Sequence, residues 1–162
     1  MKSVPSTFDI ILDRSIRGTN YQHCVDWAVD QLIDGIETDY VCRLAGQLPP
    51  YDHDLIGVLR DQALVELGFD VGDEERLFCQ SIARAIGRDR FSDECLNELL
   101  EWARLIYLKH YSSKLHSLYL LFHARRGLDT YGEQHYLENF SDSNRDELTQ
   151  KVLDEFITKY GE

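Results

Sequence analysis

Residues 26–54 read DWAVDQLIDGIETDYVCRLAGQLPPYDHD, and this stretch decides the fold. Apolar residues recur at helical spacing up to Gly35, and a second short helical run ends at Gly46, just before Pro49-Pro50. Glycine after the last periodic residue, with proline shortly beyond it, is typical of a helix end. The stretch therefore predicts two helices joined by a turn, with a third helix beginning near Asp52.

Acidic residues repeat along the first of these helices. Asp26, Asp30, Asp34 and Glu37 follow one another at intervals of four, four and three residues. Like charges four residues apart on a helix repel by about a few tenths of a kcal/mol per pair, so helix stability does not explain the repeat. The three aspartates drift by only about 40° per step around the helix axis, which places them in one stripe on the polar side. We expect this stripe to face water or a partner.

Helical periodicity continues on both sides of this stretch, and no convincing pair of strands is present. Helical segments are predicted at residues 6–16, 21–33, 40–46, 52–67, 73–86, 92–107, 115–122 and 144–160. Two of these eight segments fit a helix less well, because residues 8–12 also fit a short strand and the run at 40–46 is short. The packing of residues 1–19 on the rest is left open. Gly127 is expected to close the helix at 115–122, which should be the most buried. We predict an all-α fold, a single-domain bundle of six or seven helices spanning residues 1–162.

Charge is unevenly distributed along the chain. The net charge is −12, and residues 20–75 carry −11 of it, because this segment contains thirteen acidic residues and only two basic ones, Arg43 and Arg60. A focused acidic field attracts basic partners and repels nucleic acid and anionic lipid. We therefore expect a basic protein partner, with no binding of nucleic acid or membrane.

Composition also limits the class of protein. The sequence contains no apolar run of about 18 residues and no apolar segment behind its N-terminus, so neither a membrane span nor a signal peptide is expected. Four cysteines stand far apart, which favours reduced thiols in a cytoplasmic protein. No CxxC, HxxxH or HExxH spacing and no glycine-rich phosphate loop occurs, so no metal and no cofactor is predicted.

The dipeptide His53-Asp54 offers the strongest catalytic alternative. Metal-dependent phosphohydrolases of the HD type are all-helical, and His23 precedes His53 by 30 residues. A His-Asp pair that held a divalent metal would activate water against a phosphoester. Asp52 and Asp54, however, stand where helix N-caps are expected. A second acidic row, Glu94, Glu98 and Glu101, has no partner row at matching spacing and is better explained as a solvated helix face.

The chain resembles a group of small, all-helical bacterial proteins over roughly residues 20–160. The motifs that carry the resemblance are Leu44-Ala45-Gly46 followed by Pro50, then Ala63-Leu64-Val65-Glu66-Leu67-Gly68, Ile82-Ala83-Arg84-Ala85-Ile86-Gly87 and Leu105-Ile106-Tyr107. The resemblance implies a helical domain and no catalytic residues. Small acidic cytoplasmic proteins of this build are similar to immunity proteins, which neutralise toxic nucleases.

The sequence therefore favours a non-enzymatic binding protein, in its most specific form an immunity-type inhibitor of a basic, nuclease-like toxin domain. The alternatives are the HD-like phosphohydrolase and a helical adaptor or regulator whose acidity serves only solubility. Aromatic side chains are enriched at interface hot spots, and the sequence places tyrosines and Trp27 beside the acids. The predicted partner-binding residues are Asp26, Asp30, Asp34, Glu37, Asp39, Tyr40, Tyr51, Asp52 and Asp54.

Overall fold

The computed structural model describes residues 3–88, 92–110 and 112–161. Within these ranges the chain forms eight α-helices and no strand, which confirms the all-α class and adds to the predicted six or seven helices. The helices are α1 (Thr7–Leu12), α2 (Tyr21–Ile33), α3 (Asp39–Ala45), α4 (His53–Glu66), α5 (Glu74–Arg88), α6 (Asp93–His110), α7 (His116–Tyr131) and α8 (Arg145–Tyr160). None of them combines the length and the apolarity that a membrane crossing requires.

The chain divides into two compact units, Met1–Ser81 and Ile82–Glu162, and the boundary falls within α5. In the first unit α2 packs against α3, and α3 packs against α4. In the second unit α6 packs against α7, and α7 against α8. The prediction of a single domain stays a prediction.

The N-terminal segment is part of the first unit. A capping box begins α1: the backbone N–H of Asp9 donates to the Ser6 hydroxyl, and the backbone N–H of Ser6 donates to the Asp9 carboxylate. Ile10, Ile11 and Leu12 are buried, and a π-helical turn at Asp13–Arg17 continues the helix. Residues 8–12 are therefore helical, and their apolar side chains contribute to the core of this unit.

Two glycines end helices in the first unit, as the sequence predicts. Gly35 has a φ of +83° and Gly68 a φ of +86°, a left-handed conformation that favours glycine. After α2, the N–H of Ile36 donates to the carbonyl of Gln31 at 2.9 Å. After α4, the N–H of Phe69 donates to the carbonyl of Leu64 at 3.0 Å. Both turns are Schellman motifs, which satisfy carbonyls that the helix end leaves open.

Helix α6 has one apolar face in the core of the second unit: Leu96, Leu99, Leu100, Ala103 and Ile106 are all buried.

Helix α7 continues through Gly127, and the prediction that Gly127 closes it is wrong. The helix ends four residues later, where Gly132 takes a φ of +72°. A Cβ at position 127 would lie 2.9 Å from the carbonyl oxygen of Glu133. Gly127 is therefore explained by the close approach of the chain that follows the helix, a contact with residues only six and seven positions later that helical periodicity does not reveal.

Side-chain amides organise the connection between α7 and α8. The amide nitrogen of Gln134 donates to the carbonyls of Leu137 and Phe140, and its oxygen accepts the N–H of Leu137 at 2.9 Å. Asn144 is the N-cap residue of α8, but its side chain accepts the N–H of Ser141 at 2.8 Å and makes no cap bond. The amide of Asn144 therefore stabilises the connection rather than the helix end.

His123 on α7 lies in a row of aromatic rings. Its ring centroid is 4.6 Å from that of Tyr119 and 4.9 Å from that of Tyr136, which belongs to the connection after α7. Burial lowers the pKa of His123, and the nearby guanidinium groups of Arg104 and Arg126 lower it further. The neutral imidazole is thus the form that the folded state favours.

Acidification is therefore expected to destabilise this region. The pKa of His123 in the folded state lies below its ordinary value of about 6.5, so the unfolded chain binds the proton more readily than the folded chain does. The free energy of unfolding therefore falls as the pH drops below about 6.5. His123→Phe keeps an aromatic ring and removes the proton site. We expect thermal unfolding between about pH 7.5 and pH 5.5 to show a smaller loss of Tm for this variant than for the wild type. Equal losses would contradict the assignment.

Candidate protein-binding surface

The aspartate stripe lies on the solvent side of α2, as predicted. Cys24, Val25, Trp27 and Ala28 are buried on the opposite side of the helix. Asp26 and Asp34 are exposed, and Asp30 between them is half-buried. Burial of the apolar side therefore fixes the direction in which the carboxylates point.

Tyr51 is connected by hydrogen bonds to the aspartate stripe at the N-terminal end of α2. Its hydroxyl donates to the side-chain oxygen of Gln22 at 2.6 Å, and the side-chain nitrogen of Gln22 donates to the carboxylate of Asp26 at 2.7 Å. Gln22 thus bridges two predicted partner-binding residues that are 25 positions apart in sequence. The glutamine was not among the predicted residues, although its position four residues before Asp26 places it on the same face of the helix.

Asp52 and Asp54 stand beside Tyr51, at the beginning of α4. Asp52 is the N-cap of α4 and accepts the backbone N–H of Leu55 at 3.1 Å. Asp54 is exposed in the first turn, where the helix dipole favours a carboxylate. The predicted cap role of Asp52 is therefore confirmed, and its side chain is only partly available to a partner.

Glu37, Asp39 and Tyr40 follow the C-terminal end of α2. Glu37 and Asp39 are exposed, and Asp39 lies 3.9 Å from the guanidinium of Arg43. The guanidinium of Arg43 also lies over the ring of Tyr40, 5.1 Å from its centroid. One face of this tyrosine is thus already covered within the chain.

The start of α3 is capped from another helix. Thr38 is the N-cap residue, but its side chain makes no cap bond. Instead the carboxylate of Glu66, at the last residue of α4, accepts the N–H of Tyr40 at 3.0 Å. This contact joins the start of α3 to the end of α4, and sequence reasoning missed it because the two residues are 26 positions apart.

Ion pairs leave the predicted surface largely uncompensated. Each arginine that the structure describes in the first unit pairs with an acid: Arg14 and Arg60 with Asp61, Arg17 with Asp9 and Asp13, Arg43 with Asp39, and Arg76 with Asp70. Within the same described residues, no ion pair reaches Asp26, Asp30, Asp34, Glu37 or Asp54. The carboxylates along α2 and at its two ends therefore keep a negative charge that no described cation of the chain compensates.

Trp27 does not belong to this surface. Its side chain is completely buried, and its indole N–H donates to the hydroxyl of Thr7 on α1 at 3.1 Å. The expectation that Trp27 supplies an aromatic anchor for a partner is wrong, because the tryptophan packs in the core of the first unit.

The residues of the phosphohydrolase alternative have other contacts. The Nδ1 atom of His23 lies 3.1 Å from the carboxylate of Asp13, a buried residue of the π-helical turn. The ring of His53 stacks on that of Tyr21 with centroids 3.9 Å apart. In the part of the chain that the structure describes, no three His, Cys, Asp or Glu side chains converge in a way that could hold a metal ion. The arrangement gives no support to an HD-type site.

The cysteines divide into two pairs. Cys24 and Cys79 are buried, whereas Cys42 and Cys95 are exposed, and no disulfide joins any of the four. Burial raises the pKa of Cys24 to about 11, so this thiol stays protonated and unreactive at neutral pH. Nothing in this arrangement indicates a catalytic cysteine.

No protein-family model matches this sequence, and no curated protein or solved structure matches it at a significant level. The resemblance to small helical bacterial proteins stays a prediction.

Proposed function

We propose that this chain is a protein-binding protein whose acidic surface along α2 binds a basic protein. In its most specific form, the proposal is an immunity-type inhibitor that neutralises a basic, nuclease-like toxin domain. A nuclease binds the polyanionic backbone of nucleic acid through Lys and Arg, so an acidic protein surface is chemically suited to compete for the same groups.

One observation carries the proposal. The described arginines of the first unit are all paired with other acids, and the carboxylates of Asp26, Asp30 and Asp34 have no ion-pair partner among the described residues. Three like charges on one helix face repel one another, and a chain selected for stability alone would compensate them with lysines. A basic partner would supply that compensation.

Affinity capture compares the acidic stripe with a matched acidic row. The variant Asp26→Asn/Asp30→Asn/Asp34→Asn removes three charges from α2 with little change in shape. The control Glu94→Gln/Glu98→Gln/Glu101→Gln removes three charges from α6, where all three side chains are exposed. We expect the wild type and the control to retain the same basic protein from a lysate of the source organism, and the α2 variant to lose it.

The captured protein then decides between binding and neutralisation. If it cleaves plasmid DNA or RNA, and the wild type suppresses cleavage at least about tenfold more strongly than the α2 variant, the immunity-type function is supported. A captured protein without nuclease activity would leave an adaptor as the better description. Equal capture by all three proteins would refute the role of the stripe and favour acidity that serves only solubility.

A further inference from the structure

Charge alone makes a weak and unspecific interface. Exposed ion pairs contribute about 0–1 kcal/mol each, and salt screens them. Specific interfaces add a desolvated apolar centre, surrounded by polar groups that exclude water. A surface that binds one partner through Asp26, Asp30 and Asp34 therefore needs apolar side chains next to them.

The solvent side of α2 contains such side chains. Ile33 is 76% exposed and Val29 is 41% exposed, although both are large and apolar. They stand four residues apart, so they form one row along the helix. Both lie within about 60° of Asp26 around the helix axis, on the flank opposite to Asp30 and Asp34.

Core packing does not require this arrangement. The side chains of Val29 and Ile33 are exposed to solvent, whereas those of Trp27 and Ala28 on the same helix are fully buried. Solvent-exposed positions of a helix accept lysine or glutamate at no cost in packing, and these two carry β-branched apolar residues, which are weaker helix formers. A row of apolar residues beside a row of acids is instead complementary to a surface with apolar and basic rows side by side.

We infer that Val29 and Ile33 form the apolar centre of the binding surface on α2, and that the partner docks an amphipathic basic helix there. The inference rests on the proposed function and specifies its partner. A helix is the element that presents apolar side chains at the same four-residue interval, with Lys or Arg along one flank to meet the aspartates.

Designed peptides test this directly. One peptide of alanine, leucine and lysine would carry its leucines in one helical row with lysines along one flank, and a scrambled peptide would have the same composition. Binding is measured by fluorescence anisotropy. We expect the patterned peptide to bind the wild type at least about tenfold more tightly than the scrambled one, and Val29→Ser/Ile33→Ser to remove that preference.

Helix α4 offers a matched control. Val58 and Val65 are 57% and 46% exposed, so Val58→Ser/Val65→Ser removes a similar apolar area away from α2. This variant should bind the patterned peptide as the wild type does. Equal losses in the two double variants, or equal binding of the two peptides to the wild type, would overturn the inference.

Two further outcomes separate the inference from the proposed function. If the three Asp→Asn changes on α2 abolish binding while Val29→Ser/Ile33→Ser does not, the acidic surface stands and its apolar centre is refuted. If the Asp→Asn changes leave binding of both peptides unaltered, the proposed function itself fails. Self-association of the wild type in sedimentation, abolished by Ile33→Ser, would assign the row to contact between copies and also overturn the inference.

Discussion

Trp27→Ala is expected to lower the free energy of unfolding by about 3–5 kcal/mol, because it removes the largest fully buried side chain of the first unit. The indole is fully buried and donates to Thr7 of α1, and the surrounding structure cannot collapse fully into the space that the indole leaves. A domain of ordinary stability has only about 5–15 kcal/mol in total, so the loss would be severe. Denaturant unfolding followed by circular dichroism measures it.

Trp27→Phe separates the hydrogen bond from the volume. Phenylalanine keeps an aromatic ring but leaves the hydroxyl of Thr7 without its indole donor. We expect a loss of about 1–2 kcal/mol, clearly less than that of the alanine variant. If Trp27→Ala instead kept the stability of the wild type and lost only partner binding, Trp27 would be a surface anchor and the core assignment would be wrong.

Arg125→Ala is expected to destabilise the second unit by about 3 kcal/mol. Arg125 on α7 is only 2% exposed, and its guanidinium donates to Thr149 on α8 at 3.1 Å and to Asn97 and Asp93 of α6 at 3.4 Å. Burial lowers the pKa of Arg125, because removing the guanidinium from water disfavours its charged form. The hydrogen bonds to these acceptors offset that desolvation. Truncation would remove the bonds that join three helices and leave a cavity.

Arg125→Met separates the effect of the lost hydrogen bonds from that of the lost side-chain volume. Methionine fills much of the same space without a buried charge, and replacing a buried ionic group by an apolar one of similar size is often close to neutral. We therefore expect the methionine variant to unfold at clearly higher denaturant concentration than the alanine variant. Equal destabilisation would show that the hydrogen bonds, and not the filled volume, dominate at this position.

Local chemistry explains the parts of the fold that sequence reasoning predicted. Ser6, Gly35, Asp52 and Gly68 each act on a neighbouring turn of the same helix, through a cap or a left-handed residue. Such signals depend only on residues a few positions apart, so they are visible in one sequence. The beginning of α1, the end of α2 and both ends of α4 were predictable for that reason.

Contacts with residues outside the helix concerned explain the errors. Gly127 resembles a helix end in sequence, but it is needed where the chain after α7 crosses close to the helix. Glu66 provides the cap of α3 from the far end of α4. Neither the approach of two segments nor a cap donated by another helix leaves a periodic signal in the sequence.

The candidate surface was predicted in part. Periodicity placed Asp26, Asp30 and Asp34 on one solvent-facing stripe, because one buried side determines the whole orientation of a helix. Val29 and Ile33 were assigned to neither side of α2 from the sequence. Their exposure required the structure, as did the bridge that Gln22 makes between Tyr51 and Asp26.

The most direct test of the central claim is the association rate of the captured basic protein with the wild type, measured across a range of ionic strength. Electrostatic steering by the α2 stripe predicts a rate that falls steeply with added salt. The variant Asp26→Asn/Asp30→Asn/Asp34→Asn should associate at least about tenfold more slowly at low salt and approach the wild type at high salt. Identical rates for the two proteins at every ionic strength would contradict the claim that this surface binds the partner.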